Sequence, residues 1–117
     1  MYNEIKVNYV IDMQLRRKEL FAVIVEYKCR NRAERDAFVA DLTGEEMAEH
    51  FRSCSGCLQY DYYVPCTSDT GLMLYSKWET EEDHRRHTLT QRFRFLKVLK
   101  EMRNAQSKVT RVQIGEA

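Results

Sequence analysis

His87 follows Trp78 by nine residues, and this pair is where the sequence offers chemistry. Histidine alone has an unperturbed pKa that places proton transfer near neutrality, so His87 is the candidate general base or acid, titrating near 6.5 if unperturbed. Trp78 fits the wall of a pocket that stacks on a flat substrate. It equally fits a core position, because a buried indole removes a large area from water. His84 stands three residues before His87, a spacing that puts both imidazoles on one face of a helix. Two histidines are only part of a metal site, and the distant His50 is the sole further histidine, so no metal is expected. Tyr60 and Tyr62 are spaced to point to one face of a strand, where their phenols could hydrogen-bond a substrate oxygen in an apolar pocket.

The four cysteines, Cys29, Cys54, Cys57 and Cys66, read as reduced thiols, because no signal peptide precedes them. Cys54-Ser55-Gly56-Cys57 is a C-x-x-C, but a redox pair of that type needs its first cysteine at a helix N-terminus. Here the pair follows a helical pattern and leads into a strand. The balance of 19 basic against 18 acidic residues leaves a net charge of +1. No basic footprint for nucleic acid or an anionic membrane results, and no apolar run approaches a membrane span. A cytoplasmic protein is expected.

The elements that must position these residues follow from periodicity. Residues 21–28 are almost all apolar and β-branched, a buried strand. Asn31 with Glu34 forms a capping box, and Ala33, Ala37, Ala40, Gly44, Met47 and Phe51 then recur on one helical face, with a break expected at Gly44. Residues 57–64 alternate as a half-exposed strand, residues 65–71 make a turn-rich loop, and residues 72–79 return antiparallel. Leu72, Leu74 and Ser76 share the face of Trp78. Thr80 and Asp83 cap a short helix reaching Thr88. A second helix, residues 91–103, carries Phe95, Leu96, Val98, Leu99 and Met102 on one side, and residues 109–114 alternate as the last strand. The order is βαββαβ, a ferredoxin-like α+β fold with an antiparallel sheet. Residues 1–19 stand apart as an extension, with an extra strand over 5–11 and a charged connector, ahead of a domain at 20–117.

Both helices cover one face of such a sheet, yet the strands are apolar on both sides: Ala22, Ile24, Met73 and Tyr75 would face away from them. Soluble monomers rarely expose such a patch, so a homodimer with its sheets face to face is expected. The extra strand suits pairing with the partner's sheet edge.

From Phe21 to Ile114 the sequence resembles the antibiotic-biosynthesis monooxygenase family of dimeric α+β barrels. The resemblance is carried by Ser55-Gly56-Cys57 opening the second strand, Trp78-Glu79 closing the third, and His87 nine residues after the tryptophan. It implies a cleft faced by His87, with Trp78, Tyr60, Tyr62, Leu74 and His84 as substrate contacts, and no cofactor. The implied activity is a cofactor-independent monooxygenase on a small aromatic, phenol or quinol. A proton-transfer isomerase and a non-catalytic small-molecule-binding or stress-response protein are the alternatives on this fold. Specialised members differ at single positions. Some haem-degrading relatives have an asparagine on the first strand, where this chain has Val23-Ile24-Val25. A phenol-oxidising relative has one at the position of Leu74, and the sugar-phosphate isomerase type has a second histidine at the position of Arg92.

Overall fold

A ten-residue strand whose middle, Leu20 to Val25, is unbroken apolar sequence runs through the centre of the sheet. The computed structural model describes residues 19–115, so the extra strand and most of the connector expected over 1–19 lie outside the described residues. Strand β1 (Glu19–Lys28) leads to helices α1 (Arg32–Thr43) and α2 (Glu45–Arg52), then β2 (Cys57–Tyr63) and β3 (Gly71–Trp78). Helices α3 (Glu81–Thr88) and α4 (Gln91–Met102) precede β4 (Gln106–Gly115). The strands form one antiparallel sheet in the order β2-β3-β1-β4. This is the ferredoxin-like α+β arrangement that the periodicity predicts, with each helical segment divided in two. No helix among the described residues is long and apolar enough to cross a membrane.

Register sorts the side chains by face. Phe21 pairs with Trp78, Val23 with Ser76, Val25 with Leu74 and Tyr27 with Leu72, and all eight turn toward the helices. Across β2, Tyr60 pairs with Ser76 and Tyr62 with Leu74, after a bulge between Cys57 and Gln59. Phe38, Leu42, Met47, Phe51, Leu96 and Leu99 close the core over this face.

The caps form as expected. Asn31 Oδ1 accepts from the Glu34 amide at 2.9 Å, and Thr80 Oγ1 accepts from the Asp83 amide at 3.0 Å. The helical segment after β1 breaks at Gly44. Two helix faces differ from expectation. In α1 the buried positions are Arg35, Phe38 and Leu42, whereas Ala33 and Ala40 are exposed. Phenylalanine and leucine bury several times the area of an alanine methyl, so they set the rotation of the helix. In α4 Leu96 and Leu99 are buried and Phe93 partly so, whereas Phe95, Val98 and Met102 are exposed. The apolar arc of this helix is wider than the strip the sheet can cover.

Arg35 is 5% exposed, a rare place for an arginine. Its Nη1 donates to the carbonyls of Ser68 (3.1 Å) and Gly71 (3.0 Å), and its Nε to Asp36 Oδ1 (2.8 Å). The buried guanidinium is thereby satisfied, and it fixes the loop between β2 and β3.

Candidate functional site

The site depends on how α3 starts. Gly56 sits at φ 79°, and its carbonyl accepts from the Glu79 amide at 2.8 Å, tying the entry of β2 to the exit of β3. A Cβ on Gly56 would fall 2.6 Å from Asp83 Cβ, so the absence of a side chain there lets α3 pack down. Asp83 is buried at the helix start. Its Oδ2 accepts from the Thr80 hydroxyl at 2.8 Å and its Oδ1 pairs with Arg86. Thr80, and then Arg86, hold the Asp83 carboxyl below the usual range. The helix so anchored folds back over β3 and brings one turn of imidazoles onto the sheet.

His87 is 3% exposed and stacks on Trp78, with ring centroids 4.9 Å apart and planes at 27°. Phe51 (4.9 Å), Phe93 (5.1 Å) and Tyr60 (5.5 Å) meet it edge-on. Burial, followed by the neighbouring His84 and His50, pushes its pKa down to about 3. The value near 6.5 expected from sequence therefore does not hold, because desolvation among aromatic rings penalises the imidazolium. His84 packs between Phe21 (5.8 Å) and Trp78 (5.5 Å), and burial, then Arg111, lowers it to about 4.

Cys54 Sγ lies 3.4 Å from the His50 carbonyl and 3.9 Å from His87 Nδ1. With the thiol proton directed at the carbonyl, the sulfur is left to accept from Nδ1–H, which makes Nε2 the basic nitrogen of His87. Burial raises the Cys54 thiol above its ordinary value and raises Cys57 to about 11. Neither cysteine is a ready thiolate at neutral pH. Among the described residues no cluster of three His, Cys, Asp or Glu could hold a metal ion.

A cleft of about 180 Å³ opens between sheet and helices beside His87. Of the residues singled out in the sequence, His87, His84, Tyr60 and Leu74 line it. Trp78 lies behind the His87 ring and Tyr62 beside Tyr60, at 5.8 Å. Sequence reasoning missed the opposite wall: Phe93, Leu96, Lys97 and Lys100 of α4, and Ser107, Val109 and Arg111 of β4. Their spacings, helical for the first group and alternating for the second, were legible, but nothing in the sequence said that the two elements face each other.

The indole nitrogen of Trp78 has no hydrogen-bond partner among the described residues, and the buried hydroxyls of Tyr60 and Tyr62 have no better partner there than each other. Burial, the largest cause, raises both phenols above their ordinary range, so they act as neutral groups. A ligand oxygen in the cleft could bond the Tyr60 hydroxyl, which belongs to a lining residue. Tyr60→Phe should leave the melting temperature within about 5 °C of wild type, since at most the contact with the Tyr62 hydroxyl is lost. The same change should raise KM about tenfold for a ligand that uses the hydroxyl. A large fall in melting temperature would show that Tyr60 is bonded after all.

The antibiotic biosynthesis monooxygenase family profile matches residues 20–104. The chain belongs to that family. Solved structures of similar fold include a monooxygenase from the ActVA-Orf6 gene of Streptomyces coelicolor, solved with the ligand nanaomycin D. It is 22% identical, with a TM-score of 0.72, over 86% of this chain and 91% of its own. SnoaB, a cofactor-independent oxygenase from Streptomyces nogalater, is 12% identical with a TM-score of 0.68, covering 85% and 96%. Rv0793 from Mycobacterium tuberculosis is 21% identical with a TM-score of 0.71, covering 84% and 97%. At these identities the antibiotic biosynthesis monooxygenase fold is what is shared. No curated protein matches the chain in sequence.

Proposed function

We propose that this family member is a cofactor-independent monooxygenase of a small phenol or quinol bound in the cleft beside His87. The observation that carries the proposal is a neutral imidazole held in an aromatic-walled cleft whose lining also includes the buried phenol of Tyr60. Apolar walls strip water from the substrate ring, and Tyr60 donates to or accepts from a substrate oxygen. His87 Nε2 takes a phenolic proton. A histidine of pKa about 3 is a weak base in the empty cleft, but the imidazolium forms beside the phenolate it has just made, and their attraction offsets the desolvation that lowered it. The electron-rich phenolate then reacts with dioxygen. One oxygen atom enters the product, the other leaves as water, and the substrate supplies the electrons. An oxygen electrode with a panel of small quinols, followed by mass spectrometry of the product made under ¹⁸O₂, tests this. Incorporation of one labelled atom supports it; no uptake above the uncatalysed rate across the panel counts against it.

A second reading, ligand binding without turnover, draws on the same low pKa of His87, since a site built only to bind needs no stronger base.

The protein is also proposed to act as a homodimer. The helix-free face carries Ile24, Met73, Tyr75, Tyr63 and Val112, of which Tyr63 and Val112 are exposed. Packing two such faces together would remove this apolar surface from water. Light scattering at micromolar concentration should give twice the 14.0 kDa chain mass, and a monomer at that concentration would falsify the assignment.

A further inference from the structure

Helix α4 buries Leu96 and Leu99, and its two lysines stand beside them at the mouth of the cleft. Phe95, Val98 and Met102 are exposed, while Lys97 and Lys100 join Phe93 and Leu96 on the face that lines the cleft. Across the cleft, Ser107, Val109 and Arg111 alternate on β4 and face the same space. Lys100 Nζ donates to Ser107 Oγ at 2.5 Å, bridging helix and strand, and Lys97 Nζ stands 5.5 Å from the centre of the Phe93 ring. Three cations thus border the cleft, and its lining contains no Asp or Glu. None of the three makes an ion pair with a described residue.

We infer that the cleft takes an apolar ring system bearing a carboxylate, its ring against Val23, Leu74 and Phe93 and its carboxylate at the rim that Lys97, Lys100 and Arg111 border. The inference rests on the cleft being the ligand site, as proposed above, and names the charge class of that ligand. Arg111 offers the planar fork that grips a carboxylate at two points, and the lysines add mobile point charges. A partly enclosed cleft of one sign also concentrates anions at its mouth. The carboxylate end so fixed leaves the ring to lie inward, toward Tyr60 and His87.

The test uses two redox-inert probes of one shape, 2-naphthoate and its neutral amide, titrated calorimetrically into the full chain at neutral pH. The naphthoate should bind at least about tenfold more tightly. That preference should shrink as salt is raised. It should fall to about twofold or less in the triple variant Lys97→Gln, Lys100→Gln, Arg111→Gln, whose folding circular dichroism checks. Equal affinity for the two probes, or a preference that survives the triple substitution, overturns the inference and leaves the oxygenase proposal standing on its own uptake assay. Binding of neither probe removes the cleft as a ligand site and takes both readings with it.

Discussion

Replacing His87 by glutamine should lower quinol-dependent oxygen uptake about 100- to 10,000-fold, the range typical of a lost general base. Glutamine keeps a polar atom near the position of Nε2 but cannot take a proton. It is a better test than alanine, because His87 also fills space among Trp78, Phe51, Phe93 and Tyr60. His87→Ala would leave a cavity and confound activity with stability. The near-ultraviolet circular dichroism of Trp78, the sole tryptophan, reports whether the packing survives in each variant. The pH dependence gives an independent readout. Because burial holds His87 at about 3, the free protein keeps the basic form throughout the neutral range, and kcat/KM should show no histidine inflection near 6.5. Stability behaves differently. The unfolded chain binds protons at His84 and His87 from about pH 6.5 downward, while the folded chain refuses them until about 4 and 3. The unfolded state therefore holds more protons in that window, and the fold loses stability as pH falls through it, regaining it fully above 6.5. Wild-type turnover by His87→Gln, with intact packing, would remove His87 as the base and leave the oxygenase without its proposed proton acceptor.

Gly56→Ala should destabilise the fold by about 2–4 kcal/mol, a fall of roughly 10–15 °C in melting temperature. Two costs combine. A non-glycine residue at φ 79° carries backbone strain of about 1–2 kcal/mol. The new methyl would also lie 2.6 Å from Asp83 Cβ, so the start of α3 must move and its capping bonds with Thr80 weaken. Asparagine tolerates a positive φ but brings the same Cβ, so Gly56→Asn separates the two costs. It should recover only part of the loss, because the collision with Asp83 remains. Since α3 carries His84 and His87, either variant should lose activity out of proportion to the fraction unfolded. A loss below about 1 kcal/mol for Gly56→Ala would mean that α3 shifts freely and that this glycine does not set the site.

Strand positions were legible because residues 57–64 and 72–79 alternate and the apolar run at 21–28 is that of a central strand, and β1 and β3, paired on both sides, leave one consistent assignment of faces. Gly44 and the caps at Asn31 and Thr80 were legible because their chemistry is local. Helix rotation was not. The alanines of α1 share its surface with Phe38 and Leu42, and only docking on the sheet decides which stripe turns inward. In α4 the apolar residues span more than half the circumference, and the lysines on the cleft side look from sequence alone like solvated charges. The meeting of His87, His84 and Tyr60 at one cleft could be anticipated from their elements. The depression of the two histidine pKa values could not, because it comes from rings contributed by α2, β2, β3 and α4 together.

The buried Arg35 bears on how the chain assembles. Its bonds to Ser68 and Gly71 span 33 and 36 residues, so the loop joining β2 and β3 is not closed by local contacts alone. A turn-rich connection between adjacent antiparallel strands ordinarily counts among the early, fast-forming pieces of a fold. Here two of its carbonyls gain their protein partner only when α1 docks. The closure of this hairpin is thereby coupled to a contact of high sequence separation, and it carries that entropy cost into the folding barrier.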